Sequence, residues 1–513
     1  QRCIFLQVYF SQFHRNQKND IGKIAFMKIM KRTIKYIYIL TAMLHALPLI
    51  SQWSADNRLT NNTAFSTVPL NNARCISSSG QLVVTVWQDS RDGNSEIYAK
   101  RSTNAGVSWS NDARLTNNTF SSEYPSVEVS GVTIHTAWVD GRDGNYEIYY
   151  KRSGDAGINW SNDIRLSNNS SVSEKPSITL FNSTVVIVWD DQRDGNQEIY
   201  MILSTDAGLN WGAETRITNN SAISDYPDMV ITASAWHLVW RDLRQGPPQV
   251  YYKRSTNSGL NWSPDIRLIN TTTEAENISV DASGTYVHVC WTDFRDSDYE
   301  IYHKRSTDNG SSWQADTRMT ASTGNSSQPS ISASGNYVHL VWDDDKTGNV
   351  QLYYRKSSNY GESWDTELRL VNTVLSARQP SVNISDHVVH LAWEDSRDGN
   401  PEIYYKRNPT GNPVGISGIN TEIPGEFSLS QNYPNPFNPT TKIRFDISGS
   451  SAAQTSLSVY DLLGREVAAL VNEELKPGTY EVNWDASNFP GGVYFYRISA
   501  GSFSETRKMI LIK

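Results

Sequence analysis

A repeat with a period of 51 residues limits what this chain can fold into more than any other feature of its sequence. Residues 102–109, Ser-Thr-Asn-Ala-Gly-Val-Ser-Trp, occur in six near-copies, and successive copies begin 51 residues apart. A second segment opens with Trp87 and a third with Arg58, and each has seven copies. A fixed period of this length is typical of proteins built from one small unit stacked on copies of itself.

Each unit has the pattern of four short β-strands. In one unit, residues 125–129 and 133–138 are rich in β-forming side chains, and an Arg-Asp-Gly-Asn turn at 142–145 precedes a third such run at 147–153. The fourth run ends at Arg165, and no amphipathic helix of useful length interrupts the unit. Four strands per unit predict an all-β chain in which residues 52–408 form a β-propeller.

The order of the copies predicts the number of blades. The first three strands of the unit occur seven times, and so does the fourth, but its first copy at residues 53–60 precedes all the others. The last unit stops at Arg407 without a fourth strand. The amino-terminal strand should therefore complete the last blade and close a ring without open sheet edges. We predict seven blades, with six as the alternative.

The Ser-x-Asp-x-Gly-x-x-Trp turn of each unit resembles the Asp-box of the sialidase superfamily and of other BNR-repeat propellers, and the resemblance covers residues 52–408. The Asp or Asn can bond turn amides, the Gly permits positive φ and the Trp packs beneath. In that family the boxes lie away from the active site, so the resemblance implies a structural role for their Asp or Asn. These residues are Asn104, Asp155, Asp206, Asn257, Asp308 and Asn359.

The opposite face carries the turns between the second and third strands, where a Trp-x-Asp-x-Arg pattern recurs in the blades. An Asp and an Arg repeated in nearly every blade favour a structural role, because each group in a binding or catalytic site has a separate task. The regularity breaks in blades four and six and at one extra tryptophan, and there the sequence predicts ligand-binding residues. They are Asp242, Arg244, Asp344, Lys346 and Trp236.

No catalytic residue can be assigned. Enzymes of the sialidase family hold the sugar carboxylate with three arginines, use a Tyr nucleophile with a Glu partner, and carry an early Arg-Ile-Pro motif. The early Arg58-Leu59-Thr60 segment here belongs to the repeat. We therefore predict a non-catalytic propeller that binds a glycan or a surface protein. The alternatives are a secreted glycoside hydrolase of exo-sialidase type and a structural surface protein.

Cofactors and nucleic acid are not expected partners. The Asp-x-Arg-Asp-Gly-Asn-x-Glu turn is compatible with Ca²⁺ as an alternative, although its spacing differs from that of an EF-hand loop. No other metal or cofactor is predicted. The net charge of −8 is spread without blocks, which argues against a surface that binds nucleic acid.

The amino terminus has the layout of a secretory signal peptide. The first methionine is Met27, a basic stretch follows it, and residues 36–50 are apolar. We assign residues 27–51 to the signal peptide and residues 1–26 to a non-native upstream segment. The apolar run is too short for a comfortable membrane span, and no transmembrane segment is predicted in the mature chain.

The composition changes again after the propeller. Residues 409–424 are rich in Gly and Pro and are predicted to be a linker, and residues 425–513 alternate apolar and polar positions as in a small Ig-like β-sandwich. The second segment, with its Asn432-Tyr-Pro-Asn-Pro-Phe-Asn-Pro run, closely resembles the C-terminal sorting domain of the type IX secretion system of Bacteroidetes-like bacteria. The resemblance implies export through the periplasm, recognition by the secretion machinery, and a secreted or outer-surface location.

Overall fold

The computed structural model describes most of the chain after residue 52, and every regular element in these residues is a β-strand. The upstream segment and signal peptide expected at residues 1–51 lie outside the described residues, as does most of the expected linker. The described residues are 53–68, 74–386, 388–409, 411, 417–420, 424–449, 453–462, 464–475, 477–486, 489–501 and 503–512.

The repeat region forms short strands that follow the 51-residue period. The strands are β1 (Asn57–Arg58), β2 (Ser66–Thr67), β3 (Ile76–Ser79), β4 (Leu82–Asp89), β5 (Glu96–Ser102), β6 (Ala113–Arg114), β7 (Ser122–Ser130), β8 (Thr133–Asp140), β9 (Glu147–Ser153), β10 (Ile164–Arg165), β11 (Ser173–Phe181), β12 (Thr184–Asp191), β13 (Glu198–Ser204), β14 (Thr215–Arg216), β15 (Ser224–Ile231), β16 (Trp236–Asp242), β17 (Gln249–Ser255), β18 (Ile266–Arg267), β19 (Ala275–Ser283), β20 (Tyr286–Asp293), β21 (Glu300–Ser306), β22 (Thr317–Arg318), β23 (Ser326–Ser334), β24 (Tyr337–Asp344), β25 (Gln351–Ser357), β26 (Leu368–Arg369), β27 (Ala377–Ser385), β28 (Val388–Asp395) and β29 (Glu402–Asn408).

These strands form seven antiparallel sheets in chain order, which we number 1 to 7. Sheet 1 holds β2–β6, sheets 2 to 6 hold four consecutive strands each, and sheet 7 holds β27–β29. The displaced strand β1 pairs with β29, so that Asn57 lies opposite Tyr405. Each sheet contacts the next, and β27 of sheet 7 contacts β3 of sheet 1. The all-β class and the repeated antiparallel sheets of a propeller are therefore confirmed.

The two ends of the sheets differ in what they carry. The first strands of neighbouring sheets contact one another and line the centre of the ring. The turns that join second to third strands, such as residues 141–146, lie at one face, which we call the mouth face. The Asp-box-like turns, such as residues 154–160, lie at the opposite box face.

One tryptophan in each sheet is buried in its core, and in six of the seven sheets its indole also bonds the mouth-face turn. In sheet 2, the indole N–H of Trp138 donates to Asp140 at 3.0 Å, and Arg142 donates twice to the same carboxylate, at 2.8 and 2.5 Å. A buried carboxylate needs such donors to offset its lost hydration. The fully buried tryptophans are Trp87, Trp138, Trp189, Trp240, Trp291, Trp342 and Trp393.

A second aromatic set joins neighbouring sheets on the box side. Trp211 of sheet 3 lies edge-on to Tyr150 of sheet 2, with ring centroids 4.8 Å apart. The Tyr150 hydroxyl lies 2.7 Å from Nδ1 of His135, which is buried. Four other interfaces pair a tryptophan with a ring of the preceding sheet in the same way. The pairs are Trp53–Tyr354, Trp109–Tyr405, Trp313–Tyr252 and Trp364–His303.

Burial of these histidines makes the stability of the folded protein depend on pH. Burial lowers the pKa of His135 and His237 to about 4 and that of His288 to about 3. Between pH 6.5 and 4 the unfolded chain therefore binds protons that the folded chain does not, so stability falls as the pH falls. We expect the urea midpoint to drop steeply across this range.

The chain offers its own control for this pH dependence. At the positions of the His288–His303 pair, sheet 3 has Val186 and Met201. The double variant His288→Val/His303→Met should therefore fold and should show a shallower loss of stability below pH 6.5. A midpoint that stays constant from pH 7 to 4.5 in the parent protein would contradict the assignment.

The carboxy-terminal region forms two further four-stranded antiparallel sheets, in the orders β30-β35-β32-β31 and β34-β33-β36-β37. They share one core that includes Phe437, Trp484 and Tyr496. The strands are β30 (Ser417–Asn420), β31 (Ser428–Leu429), β32 (Thr440–Ile447), β33 (Ala453–Tyr460), β34 (Glu466–Leu475), β35 (Gly478–Asp485), β36 (Gly492–Ala500) and β37 (Phe503–Leu511).

Strand β30 lies within the segment that the sequence predicts to be a linker. Residues 417–420 lie inside the segment 409–424 that the sequence assigned to a linker, yet they pair with β35. The strand is short, and Gly and Pro dominate the residues before it, which hides its pattern. The carboxy-terminal sheets therefore recruit chain from before residue 425.

Candidate functional site

The seven repeats differ from one another at several positions of the mouth face, around the centre of the ring. Three positions vary while the Trp-x-Asp-x-Arg positions stay nearly constant: the second residue of the first strand, the residue after it, and the residue after the core tryptophan. In sheets 2 to 7 the first position holds Glu123, Glu174, Asp225, Glu276, Ser327 and Arg378; the next holds Tyr124, Lys175, Tyr226, Asn277, Gln328 and Gln379; the third holds Val139, Asp190, Arg241, Thr292, Asp343 and Glu394.

A β-bulge sets the direction of these side chains. Tyr124, Lys175 and Tyr226 have φ of 52°, 52° and 51°, and the pairing register shifts at each of them. Positive φ is costly for residues other than Gly, so it persists only where the surrounding structure holds it. A bulge commonly re-aims a side chain beside a functional site. The same bulge recurs in six sheets, but its side chain differs among them.

Sheets 3 and 4 assemble a charged group that we call the mouth cluster: Lys175, Asp190, Asp225, Tyr226 and Arg241. Lys175 Nζ lies 3.3 Å from Asp190 Oδ2 and 4.3 Å from the centre of the Tyr226 ring. Arg241 donates to both oxygens of Asp225, at 2.8 and 2.6 Å, and its Cζ lies 4.5 Å from the Tyr226 ring. Two cations thus lie against one tyrosine ring, and each has a carboxylate partner.

Asp190 is the most perturbed group of the mouth cluster. It is 1% exposed, Gln197 donates to its Oδ2 at 2.8 Å, and its Oδ1 has no hydrogen-bond partner in the described chain. Burial raises the pKa of Asp190 to about 7. The positive charge of Lys175 lowers this pKa, whereas the negative charges of Asp225 and Glu174 raise it further. The Asp190 carboxyl therefore holds its proton more strongly than an exposed aspartate does.

Acidic and aromatic side chains surround the mouth cluster. Burial, with repulsion from neighbouring carboxylates, raises the pKa of Glu123 and of Glu276. Glu276 also lies 3.7 Å from Arg241. Tyr146 is half-buried near Glu123 and Glu174, and Phe120, in the preceding connection, is 51% exposed. Carboxylates next to exposed rings can accept hydrogen bonds from hydroxyl groups and offer a stacking surface.

One arginine side chain spans the centre of the ring. Arg74 of sheet 1 stands at the position where sheet 5 has Ile278 and the five other sheets have proline. Its guanidinium reaches sheet 5, donating to the Val280 carbonyl at 3.0 Å, and lies 3.4 Å from Asp281 and 3.5 Å from Glu128. Sheets 1 and 5 are not neighbours, so this side chain crosses the centre of the ring.

A smaller polar group lies on sheets 6 and 7. Arg378 is 47% exposed at its side chain and bonds Glu394 at 2.8 and 2.6 Å. Burial raises the pKa of Asp343 to about 6, although the hydrogen bond from Ser327 lowers this pKa. No arginine from this group reaches the mouth cluster among the contacts of the described residues. The arginines Arg74, Arg241 and Arg378 each have separate partners and do not converge on one point.

The residues predicted to bind ligand lie elsewhere. Asp242 is fully buried and accepts from Trp240, Ser224 and Arg244. Arg244 also bonds Asp265 at 2.8 Å. Both therefore repeat the arrangement found in the other sheets.

In sheet 6, lysine replaces the arginine of this arrangement. Lys346 Nζ lies 3.1 Å from Asp344, 2.6 Å from Glu367 and 3.7 Å from the centre of the Tyr353 ring. Trp236 is buried in the core of sheets 3 and 4. The structure does not bring these five predicted residues together.

The Asp-box-like turns lie at the box face and use their polar side chains internally. Asp155 Oδ1 accepts from the Asn159 amide at 2.8 Å, and the Ser153 hydroxyl accepts from the Gly157 amide at 2.8 Å. Hydrogen bonds from the Asn159 amide and side chain lower the pKa of Asp155 to about 2. The equivalent residues Asn104, Asp206, Asn257, Asp308 and Asn359 accept turn amides in the same way.

The motif considered for Ca²⁺ has donors on its carboxylates. Asp89 is bonded by Arg91, Asp92 by the Tyr98 hydroxyl, and Glu96 by Arg114. In the described part of the chain, no group of three His, Cys, Asp or Glu side chains has the arrangement of a metal site.

Comparison with known proteins identifies the carboxy-terminal sheets. Residues 431–513 match the family of the secretion system C-terminal sorting domain. This part of the chain is a sorting domain. The protein is therefore exported by type IX secretion and is secreted or held at the cell surface. The described residues contain no helix able to cross a bilayer.

Solved structures resemble the chain in fold but hardly in sequence. The polysaccharide lyase Uly1 aligns with a TM-score of 0.51 at 8% identity, over 69% of this chain and 98% of that one. The phage phi92 endosialidase aligns at 0.43 and 10% identity over 89% of this chain and 87% of its own, and the Trypanosoma rangeli sialidase at 0.42 and 10% over 89% and 88%. No curated protein matches the sequence. The likeness to Uly1 shows a shared fold alone.

The sequence already held the signal for the mouth cluster. Three of the positions that vary among the repeats lie at the mouth face, and Lys175, Asp190, Tyr226 and Arg241 all occupy them. Breaks in the constant Trp-x-Asp-x-Arg pattern instead predicted Asp242 and its neighbours as ligand-binding residues. The variable residues at the β-bulge indicate the mouth cluster better than those breaks do.

Proposed function

We propose that this exported protein is a seven-bladed propeller that binds an uncharged glycan at the mouth cluster without cleaving it. The observation that carries the proposal is that the variable mouth-face positions of sheets 3 and 4 bring different charged and aromatic side chains into contact. Lys175, Asp190, Tyr226 and Arg241 replace one another at positions where a purely architectural repeat would keep one residue type. Sugar recognition needs such differentiated groups, since each hydroxyl has its own direction.

The charge balance at the mouth supports an uncharged ligand. Carboxyl groups outnumber the two cations, Lys175 and Arg241, and both cations already have carboxylate partners. An acidic sugar or a sulfated polymer would meet repulsion from Glu123, Glu174 and Glu276. Hydroxyl groups of a neutral sugar can instead donate to these carboxylates, while the half-buried Tyr124 supplies an aromatic ring and Tyr226 holds the two cations in place.

Binding without cleavage fits the bonding of the charged groups better than sialoside hydrolysis does. A sialic acid carboxylate calls for convergent arginines, and the arginines nearest the centre are each held by different partners. The raised pKa of Asp190 favours hydrolysis of a neutral glycan as the second candidate function, because a general acid must retain its proton near the working pH. Its Oδ1 is buried, which keeps this function second.

A glycan array probed with the purified exported protein tests the proposal, alongside turnover of a fluorogenic sialoside and mass spectrometry of any bound neutral glycan. We expect binding to neutral glycans, weak binding to sialylated or sulfated ones, and no cleavage product. Cleavage that Asp190→Asn abolishes would establish the hydrolase instead. An array without hits and without turnover would favour a structural surface protein.

A further inference from the structure

A cavity lies between sheets 1 and 2 on the box side, far from the mouth cluster. It has a volume of about 240 Å³, and its walls include Val84, Ala99, Arg101, Ile134 and Trp160. It opens beside Ile158, which is 65% exposed. Comparison of the seven sheet interfaces explains why a cavity exists here.

Five of the seven interfaces fill this position with an aromatic ring from the preceding sheet. The ring lies edge-on to the box tryptophan at centroid distances from 4.8 to 5.2 Å. In sheet 2, for example, Tyr150 fills the space so closely that a Cβ added to Gly208 would come within 1.9 Å of the Tyr150 hydroxyl. The position is therefore shaped for a six-membered or five-membered ring.

Two interfaces lack that ring, and they lack its histidine partner as well. Sheet 1 has Val84 and Ala99, and sheet 3 has Val186 and Met201, at the positions of the His135–Tyr150 pair. The histidine and the ring residue are thus lost together, which fits their hydrogen bond in the other sheets.

At the interface of sheets 3 and 4, a tryptophan of sheet 4 fills the space left by the missing ring. Trp236 occupies the position at which sheet 2 has Ile134. A Cβ added to Gly259 would lie 2.6 Å from the Trp236 ring and 3.2 Å from the Met201 methyl group, so these two side chains fill the space. This packing accounts for the extra tryptophan that the sequence suggested as a ligand-binding residue. At the interface of sheets 1 and 2, Ile134 is too small to do the same, and the cavity remains.

We propose that the cavity between sheets 1 and 2 binds a small molecule through its phenyl ring, which takes the place of the missing tyrosine ring. The box tryptophan Trp160 offers the edge-on contact that its counterparts make with Tyr150 or Tyr252. Val84, Ala99 and Ile134 supply apolar walls. Engineered apolar cavities of ~150 Å³ bind benzene, so the volume here is sufficient for one substituted ring.

Polar side chains line part of the cavity and could contact a substituent on the ring. Ser110 and Asn111 line the cavity beside Lys100 and Arg101. Lys100 lies 2.9 Å from Asp112, and Arg101 donates to the Ala156 carbonyl at 2.7 Å. An anionic or hydroxyl group on the ligand would meet these donors at the opening, while its ring lies against Trp160. The ligand class is therefore a monocyclic aromatic with one polar substituent.

Titration calorimetry of the whole exported protein with phenylacetate tests this proposal, with acetate as the ringless control. We expect saturable binding of one phenylacetate and no binding of acetate. Ala99→Met places in sheet 1 the side chain that sheet 3 tolerates at the equivalent position, and it should weaken binding at least tenfold. Unchanged affinity in Ala99→Met, or no binding by the parent protein, would overturn the proposal.

A second variant keeps the test decisive if Ala99→Met perturbs folding. Tyr150→Ala should open an equivalent cavity beneath Trp211 and raise the stoichiometry from one phenylacetate to two. A stoichiometry that stays at one would contradict the role of the ring position. Glycan binding at the mouth cluster should be the same in both variants, so failure of this proposal is distinguishable from failure of the proposed function.

Discussion

Replacing Asp242 with asparagine should destabilise the folded protein by roughly 3 kcal/mol, because one buried carboxylate holds together a tryptophan, an arginine and a serine. Asp242 accepts from Trp240 at 2.9 Å, from Ser224 at 3.0 Å and from Arg244 at 2.8 and 2.6 Å. An asparagine amide would turn one acceptor into a donor that faces these donors and would leave the Arg244 charge short of a partner.

The urea midpoint of Asp242→Asn measures this loss, and the matched control is Asp298→Asn. Asp298 lies in the equivalent turn of sheet 5 but is exposed, and a surface change of this kind should shift stability by less than about 0.5 kcal/mol. Glycan affinity of the folded variant should match that of the parent. If Asp242→Asn kept full stability and lost glycan affinity, Asp242 would be a binding residue, as the sequence had suggested.

Truncation after Asn408 should abolish secretion and leave the propeller in the periplasm, since the sorting domain is what the type IX machinery recognises. The structure determines where to cut. Strand β30 pairs with β35 and β31 with β32, so a cut at residue 430 would separate two strands from their sheets. A cut after Asn408 removes both sheets and keeps β29, with its partner β1, intact.

Fractionation of cells and medium, with immunoblotting for the propeller, measures this outcome. Circular dichroism of the purified truncated protein should show an intact β-fold, which separates failed export from misfolding. The control variant Tyr496→Phe removes the hydroxyl that accepts from the Asn432 amide and donates to the Ser430 carbonyl while keeping both sheets. It should still be secreted. Medium containing the truncated protein in normal amount would contradict the assignment.

The sequence predicted the architecture of the repeat region well because each strand is specified locally and then repeated. The pairing of β1 with β29 follows from counting strands, since the first fourth-strand copy has no other partner in the order of the chain. The short β30 escaped prediction because four residues next to a Gly- and Pro-rich segment show too little alternation to stand out.

The mouth cluster could be predicted only in part. Glu123, Glu174, Asp225 and Glu276 recur at one position of successive repeats, but the partners of these acids belong to other strands or other sheets. Arg241 meets Asp225 across a strand pair, and Lys175 of sheet 3 meets Tyr226 of sheet 4. Such contacts depend on how neighbouring sheets are placed, which a periodic pattern within one unit does not specify.

Calorimetric titration of the best neutral glycan from the array tests the central claim most directly, using the parent protein, Tyr226→Ala and Gln328→Ala. Gln328 occupies the same bulge position in sheet 6, with a φ of 51°, as Tyr226 does in sheet 4. We predict that Tyr226→Ala weakens binding at least tenfold, about 1.4 kcal/mol, and that Gln328→Ala binds like the parent. Equal affinities in all three proteins would contradict a glycan site at the mouth cluster.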